Sequence, residues 1–112
     1  MRLAFVALSL LLASACDFGL SSGCDFRDAT LASPEPRCQE RSGLSSAAFG
    51  AMCDGLGGET VKDGCDTTDA IVGCDIGSQG DGTKVIDWYY DPKTREEAEA
   101  DCADDEGELV EP

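Results

Sequence analysis

Seven cysteines and 23 carboxylates are the side chains of this 112-residue chain that could do chemistry, and no histidine accompanies them. Without imidazole there is no Ser-His-Asp triad, no Cys-His dyad, no His-ligated zinc and no histidine proton relay. Six of the thiols run Cys24-x13-Cys38-x14-Cys53-x11-Cys65-x8-Cys74-x27-Cys102. None of these spacings is C-x-x-C, which argues against a zinc ribbon, an iron–sulfur site and a thioredoxin-type redox pair. The chemistry left to scattered thiols is disulfide formation in an oxidising compartment.

Cys16 stands apart from the other six. It follows Arg2, an apolar run from Leu3 to Leu12 broken only by Ser9, and Ala13-Ser14-Ala15. Residues 1–15 therefore read as a secretory signal peptide, since the apolar run is too short for the roughly 20 residues of a membrane span. Ala13-Ser14-Ala15 is an ordinary cleavage site, while Ser14-Ala15-Cys16 resembles the end of a bacterial lipobox with Ala13 where Leu is usual. Parity decides between them. If Cys16 is acylated, by palmitate or a similar chain, six cysteines remain and all can pair; otherwise one thiol is orphaned. The expected organisation is a signal peptide 1–15, a lipidated N-terminus and tether 16–23, and one disulfide-stapled domain 24–112, held at the membrane of a bacterial cell envelope (periplasmic or surface) by the lipid on Cys16. Plain secretion is the alternative.

From Cys16 onward the chain carries 23 acids against 7 bases, a net charge of −16, and only 15 of its 97 residues are Leu, Ile, Val or Phe. That composition alone reads as disorder. Crosslinking restores a fold, because three disulfides contribute about 2–4 kcal/mol each where a core this small is insufficient. The acidity excludes nucleic acid as a partner, which demands a Lys/Arg surface. It either steers a basic protein to the surface or simply maintains solubility.

The elements that must position these groups follow from local pattern. Arg27 to Arg37, with Pro34 and Pro36, reads as loop. Phe49, Met52, Cys53 and Leu56 share one face of a helix capped by Ser45 or Ser46 and ended by Gly57-Gly58, with a short strand at 59–62. A buried strand spans 70–76, Gly77 to Gly82 turns, and Thr83 to Tyr90 forms the strongest strand, with Ile86, Trp88 and Tyr90 on one face and Val85, Asp87 and Tyr89 on the other. Thr94 and Glu97 have capping-box spacing at the start of a second helix; Ala98 and Cys102 face inward, Gly107 ends it, and 108–110 is a final strand.

The two halves share an order that suggests a duplicated strand–helix–strand unit, with Cys38, Cys53 and Gly57 corresponding to Cys74, Cys102 and Gly107. On that reasoning the favoured pairs among the 15 permitted are Cys38–Cys53, Cys74–Cys102 and Cys24–Cys65. The expected fold class is α+β, a small disulfide-rich domain of two short helices on short antiparallel strands. Tyr89-Tyr90, the acidic Glu97–Cys102 helix and Gly107 give the chain a resemblance to small acidic cysteine-rich bacterial lipoproteins. The resemblance implies the location and the disulfides and adds no catalytic role.

The remaining constellations are weak. The acidic runs Asp104–Glu108 and Gly80–Gly82 lack the EF-hand pattern, and among 23 acids any carboxylate pair is expected by chance. No metal, cofactor, small-molecule substrate or enzymatic activity is inferred. In Trp88-Tyr89-Tyr90, Trp88 reads as core and Tyr89 as the exposed ring of a candidate binding surface. The function expected is a non-catalytic, membrane-anchored interaction or structural module. The alternative is a secreted disulfide-rich inhibitor or effector that presents the Gly77–Thr83 loop.

Overall fold

The alternating strand around Trp88 lies near the middle of a single six-stranded antiparallel sheet. The computed structural model describes residues 21–43, 46–78 and 83–112; the expected signal peptide, Cys16, the start of the expected tether, the proposed Ser45 cap and residues 79–82 of the expected turn lie outside the described residues. The strands are β1 (Ser21–Asp25), β2 (Arg37–Ser42), β3 (Glu59–Lys62), β4 (Val72–Ser78), β5 (Lys84–Tyr89) and β6 (Glu108–Val110), in the order β3-β1-β2-β5-β4-β6. Two helices accompany them: α1 (Ser46–Met52), which continues as a 3-10 turn over Cys53–Leu56, and α2 (Arg95–Asp104). The domain is thus mostly sheet, rather than the balanced pair of helices and strands that the sequence suggests.

Each half of the chain runs strand, strand, helix, strand, and the last strand returns to the outer edge of its hairpin. The halves meet where β2 pairs with β5. Cys24 lies opposite Gln39, Cys74 opposite Asp87, and Gln39 opposite Asp87. An approximate two-fold relation therefore passes through the Gln39–Asp87 pair. It matches Cys24 with Cys74, Cys53 with Cys102 and Gly58 with Gly107, so the expected match of Cys38 with Cys74 and Gly57 with Gly107 is corrected. The repeated unit has one strand more than expected, because Ser21–Gly23, assigned to the tether, is already β1 and pairs with both β2 and β3.

Directly opposed antiparallel residues share a face. One row across the sheet is Thr60, Cys24, Gln39, Asp87, Cys74, Leu109, and both helices sit on this face. Cys24–Cys53 ties α1 to β1, and Cys74–Cys102 ties α2 to β4. The neighbouring row, Asp25, Cys38, Trp88, Gly73, Val110, points the other way. There the segment 63–71 covers the sheet through Cys38–Cys65, with Tyr90 donating to the Asp66 carbonyl and Cys65 N–H donating 2.8 Å to Glu40. The favoured Cys38–Cys53 and Cys24–Cys65 pairs are therefore wrong. Cys38 is one position out of phase with Cys24, so it faces away from α1.

Packing follows the same division. Val72, Cys74, Tyr89, Ala98 and Cys102 form one cluster, Cys24, Phe26, Phe49 and Cys53 a second, and Cys38, Trp88 and Tyr90 a third on the far face. Trp88 is buried, with Gly73 beneath its ring. Phe49 and Cys53 point inward, but Met52 and Leu56 are more than half exposed. The helix face read from the sequence is therefore only half inward: Met52 lies on the exposed side of α1, and the chain tightens to a 3-10 turn at Cys53, which breaks the α-helical spacing before Leu56. Gly57, left-handed at φ 83°, closes that turn. Thr94 caps α2: its hydroxyl accepts from Glu97 N–H at 3.1 Å while the Glu97 carboxylate accepts from Thr94 N–H.

Gly58 and Gly107 occupy matched positions. A Cβ at Gly58 would collide with Cys24 Sγ, and one at Gly107 with Cys74 Sγ, so each backbone must approach its helix-to-sheet disulfide bare. Gly107→Ala and Gly58→Ala are each expected to destabilise by about 1–3 kcal/mol. Gly55→Ala, whose side chain would enter open space, should be neutral or stabilise by up to about 1 kcal/mol. Thermal melts of the three variants test this, and equal effects at Gly55 and Gly107 would contradict it.

Candidate functional site

The central strands carry the most connected polar network on the helix-bearing face. Alternation along β2 places Arg37, Gln39 and Arg41 on this face, and β5 adds Asp87. Asp87 is buried, and its Oδ1 accepts from Gln39 Nε2 at 2.9 Å and from the Arg37 guanidinium at 3.3 Å. Arg41 lies at 3.5 Å from Gln39 Oε1 and stacks over the Phe49 ring at 4.5 Å. A buried carboxylate is tolerated here because two donors, one of them cationic, meet it directly.

Beside this network lies a cleft of about 530 Å³. Arg37, Asp87 and Tyr89 line it from the sheet, Glu35 and Pro36 from the loop before β2, and Lys93, Asp101, Asp104 and Asp105 from α2 and its ends. Both cations in the lining are engaged, Arg37 with Glu35 and Asp87, and Lys93 with Asp101. The cleft therefore has an acidic mouth. Its chemistry suits a cationic group such as a Lys or Arg side chain, with Asp104 and Asp105 at the rim.

The same pattern extends through the domain. Arg27 lies over Tyr90 and pairs with Asp25, Arg37 lies over Phe26, and Lys93 lies over Tyr89. Lys84 pairs with Asp75, and Arg95 with Glu99 and Glu111. Bases are thus held against rings and carboxylates, leaving an outward field dominated by acid.

Tyr89, expected as the exposed ring of a binding surface, is only 3% exposed. It lies on the Val85–Asp87 side of β5, as the alternation requires, but α2 covers that side and packs Ala98 and Cys102 against it. It contributes to the cleft wall only through what remains accessible. Cys24, Cys38, Cys53, Cys65, Cys74 and Cys102 all form disulfides. Three disulfides indicate an exported or extracellular protein. Among the described residues no His, Cys, Asp and Glu group is arranged to hold a metal, and no helix is long and apolar enough to cross a membrane. Of Arg37, Gln39 and Asp87, only Asp87 is legible as an alternating strand residue; Arg37, expected at the end of a loop, opens β2, Gln39 follows in the same strand without a sequence signal, and no motif marks them as a cluster.

Burial pushes the Tyr89 phenol up to about 12, with Asp87 adding to the effect, and burial likewise raises Tyr90 to about 12 against the opposing pull of Arg27. Folded tyrosines with raised values hold their protons more tightly than unfolded ones. Their contribution to stability is complete below pH 10, the ordinary value, and is lost as pH rises toward 12. The chain has two tyrosines, so tyrosinate absorbance should show a single high transition in the native protein and an ordinary one in denaturant; an ordinary native transition would contradict their burial.

No known family model, no characterised protein and no solved structure matches the chain.

Proposed function

We propose that this is an exported, membrane-anchored, non-catalytic module of the small acidic cysteine-rich lipoprotein kind, which receives a basic protein partner on its acidic side. One observation carries the anchoring. The six cysteines from Cys24 to Cys102 close on one another, so no cysteine of this chain is left for Cys16. A seventh thiol directly behind an export-type apolar segment has acylation as its natural fate. An unpaired thiol in an oxidising compartment would otherwise invite intermolecular crosslinking.

Charge supports the partner. Residues 21–62 carry six acids and four bases, a net −2, whereas residues 63–112 carry sixteen acids and three bases, a net −13. A surface meant only to stay soluble needs no such division. The acidic cleft, lined mainly by the β5–α2 half together with Glu35, Pro36 and Arg37 of the first half, fits a Lys- or Arg-bearing surface and speeds its arrival. Asp87, the buried carboxylate in the cleft lining, accepts through Oδ1 from both Arg37 and Gln39 and joins β5 to β2.

Mass spectrometry of the mature protein from a bacterial membrane fraction tests the reading. A diacylglyceryl-modified Cys16 as the first residue is expected, together with release of Cys16→Ala into the soluble fraction. An unmodified N-terminus in the medium would overturn anchoring and favour a secreted effector.

A further inference from the structure

The acid is distributed unevenly, and so is apolar exposure. Of the large apolar side chains that are exposed among the described residues, Met52 and Leu56 lie together on the outer side of α1 and its 3-10 extension, at 54% and 52% exposure. Ala48, Ala51 and Gly55 are exposed beside them. All five are exposed on α1 and the 3-10 turn that continues it, with Asp54 beside them. Between Gly43 and Gly58 the sequence carries a single charge, Asp54, in a chain where more than a quarter of residues are charged. A solvent-facing helix of so acidic a protein would ordinarily be charged on this side, as α2 is.

The position of this face relative to the N-terminus matters. Ser21 opens β1 opposite Ser42, which leads into α1, and Gly50 of α1 rests on Ser22. α1 therefore lies over the strand that the tether enters. Five residue steps separate Cys16 from Ser21, at most about 17 Å at roughly 3.4 Å per residue. A lipid on Cys16 thus holds the α1 half of the sheet against the bilayer. Residues 21–62 have a net charge of −2; Asp63, Asp66 and Asp69 lie in the segment that covers the opposite face of β1 and β2, and residues 72–112, with a net charge of −10, build the sheet beyond β2. Anionic headgroups repel the second half and tolerate the first.

We infer that the exposed side of α1 and its 3-10 extension, carrying Met52 and Leu56, docks on the lipid surface into which the Cys16 anchor inserts, and so fixes the orientation of the domain at the membrane. The inference rests on the anchoring proposed above and adds an orientation that anchoring alone does not require. A tether without docking would leave the domain free to tumble. Shallow insertion of two apolar side chains beside the covalent lipid adds buried apolar area to that of the anchor itself.

The test uses the folded mature chain coupled through the Cys16 thiol to a maleimide lipid in vesicles of phosphatidylethanolamine and phosphatidylglycerol with brominated acyl chains. Coupling by this route makes the result independent of whether cells acylate Cys16. Trp88 is buried and gives a constant background. Leu56→Trp should lose emission about twofold relative to unbrominated vesicles, as a side chain at the acyl boundary does. Leu109→Trp, similarly exposed but in the acidic half, should be unaffected. Adding Met52→Asp to Leu56→Trp should abolish the quenching. Equal quenching at Leu56 and Leu109, or none at Leu56, would overturn the docking while leaving anchoring intact. Absence of acylation in the mass spectrum would remove anchoring whatever the vesicles show.

Discussion

A helix packs on a sheet because apolar side chains on one stripe leave water together, and α2 has almost none to offer. Of its ten residues, Arg95–Asp104, only Ala98 and Cys102 are buried. Burying an alanine and a half-cystine cannot hold a ten-residue acidic helix against its own hydration and conformational entropy. The Cys74–Cys102 bond does so, by making the helix a covalent extension of β4. Cys24–Cys53 does the same for α1, helped by Phe49, and Cys38–Cys65 fixes the connecting segment on the opposite face. The three bonds span 29, 27 and 28 residues, loops for which unfolded-chain entropy alone predicts about 3–4 kcal/mol each. The covalent contacts occupy the places where larger domains put leucines, and Gly58 and Gly107 are bare so that the chain can pass beside two of them.

Freed from the need for a wide apolar stripe, the surface can be strongly charged, and the charge is organised. Arginines lie over aromatic rings near the sheet centre and pair with the nearest acids, which screens the interior network around Asp87. The remaining acids fall mainly in the second half, on and around α2. The first half keeps a similar topology but replaces the acidic helix with a short, nearly uncharged one. Two units of one architecture thus differ in the property that governs association with lipid or with protein. The division of labour proposed for them follows from that difference.

Much of this was legible in the sequence, and the exceptions have physical causes. The hairpin around Trp88, the Thr94–Glu97 capping box and the Gly57 stop are local patterns, decided by alternation, capping and turn chemistry within a few turns of chain. By contrast, α2 ends at Asp105 with Glu106 left-handed, and Cys74–Cys102, 28 residues apart, was matched through a repeat alignment that was itself shifted. The first strand was hidden because Ser21-Ser22-Gly23 is small and polar, and such a segment becomes a strand only through pairing with β2 and β3 on either side. Losing it shifted the repeat and with it two of the three pairings. A partial signal was present: Gly-Cys-Asp occurs at 23–25, 64–66 and 73–75, and the first and third of these cysteines precede their partners by 29 and 28 residues, whereas Cys65 follows its partner Cys38. Tyr89 was misplaced for a related reason. Alternation assigns a side chain to a face, but whether a helix covers that face is decided by long-range topology. The Arg37–Gln39–Asp87 network likewise depends on the β2–β5 pairing, which joins residues 48 to 50 positions apart.

The account stands on the claim that oxidation, rather than core burial, holds this domain together. The direct measurement is far-UV circular dichroism of the protein under native conditions before and after reduction, with thiol titration to verify that all three bonds are open. The account predicts loss of the sheet and helix signal as the bonds open, and its recovery on reoxidation. An unchanged spectrum with six free thiols would contradict it.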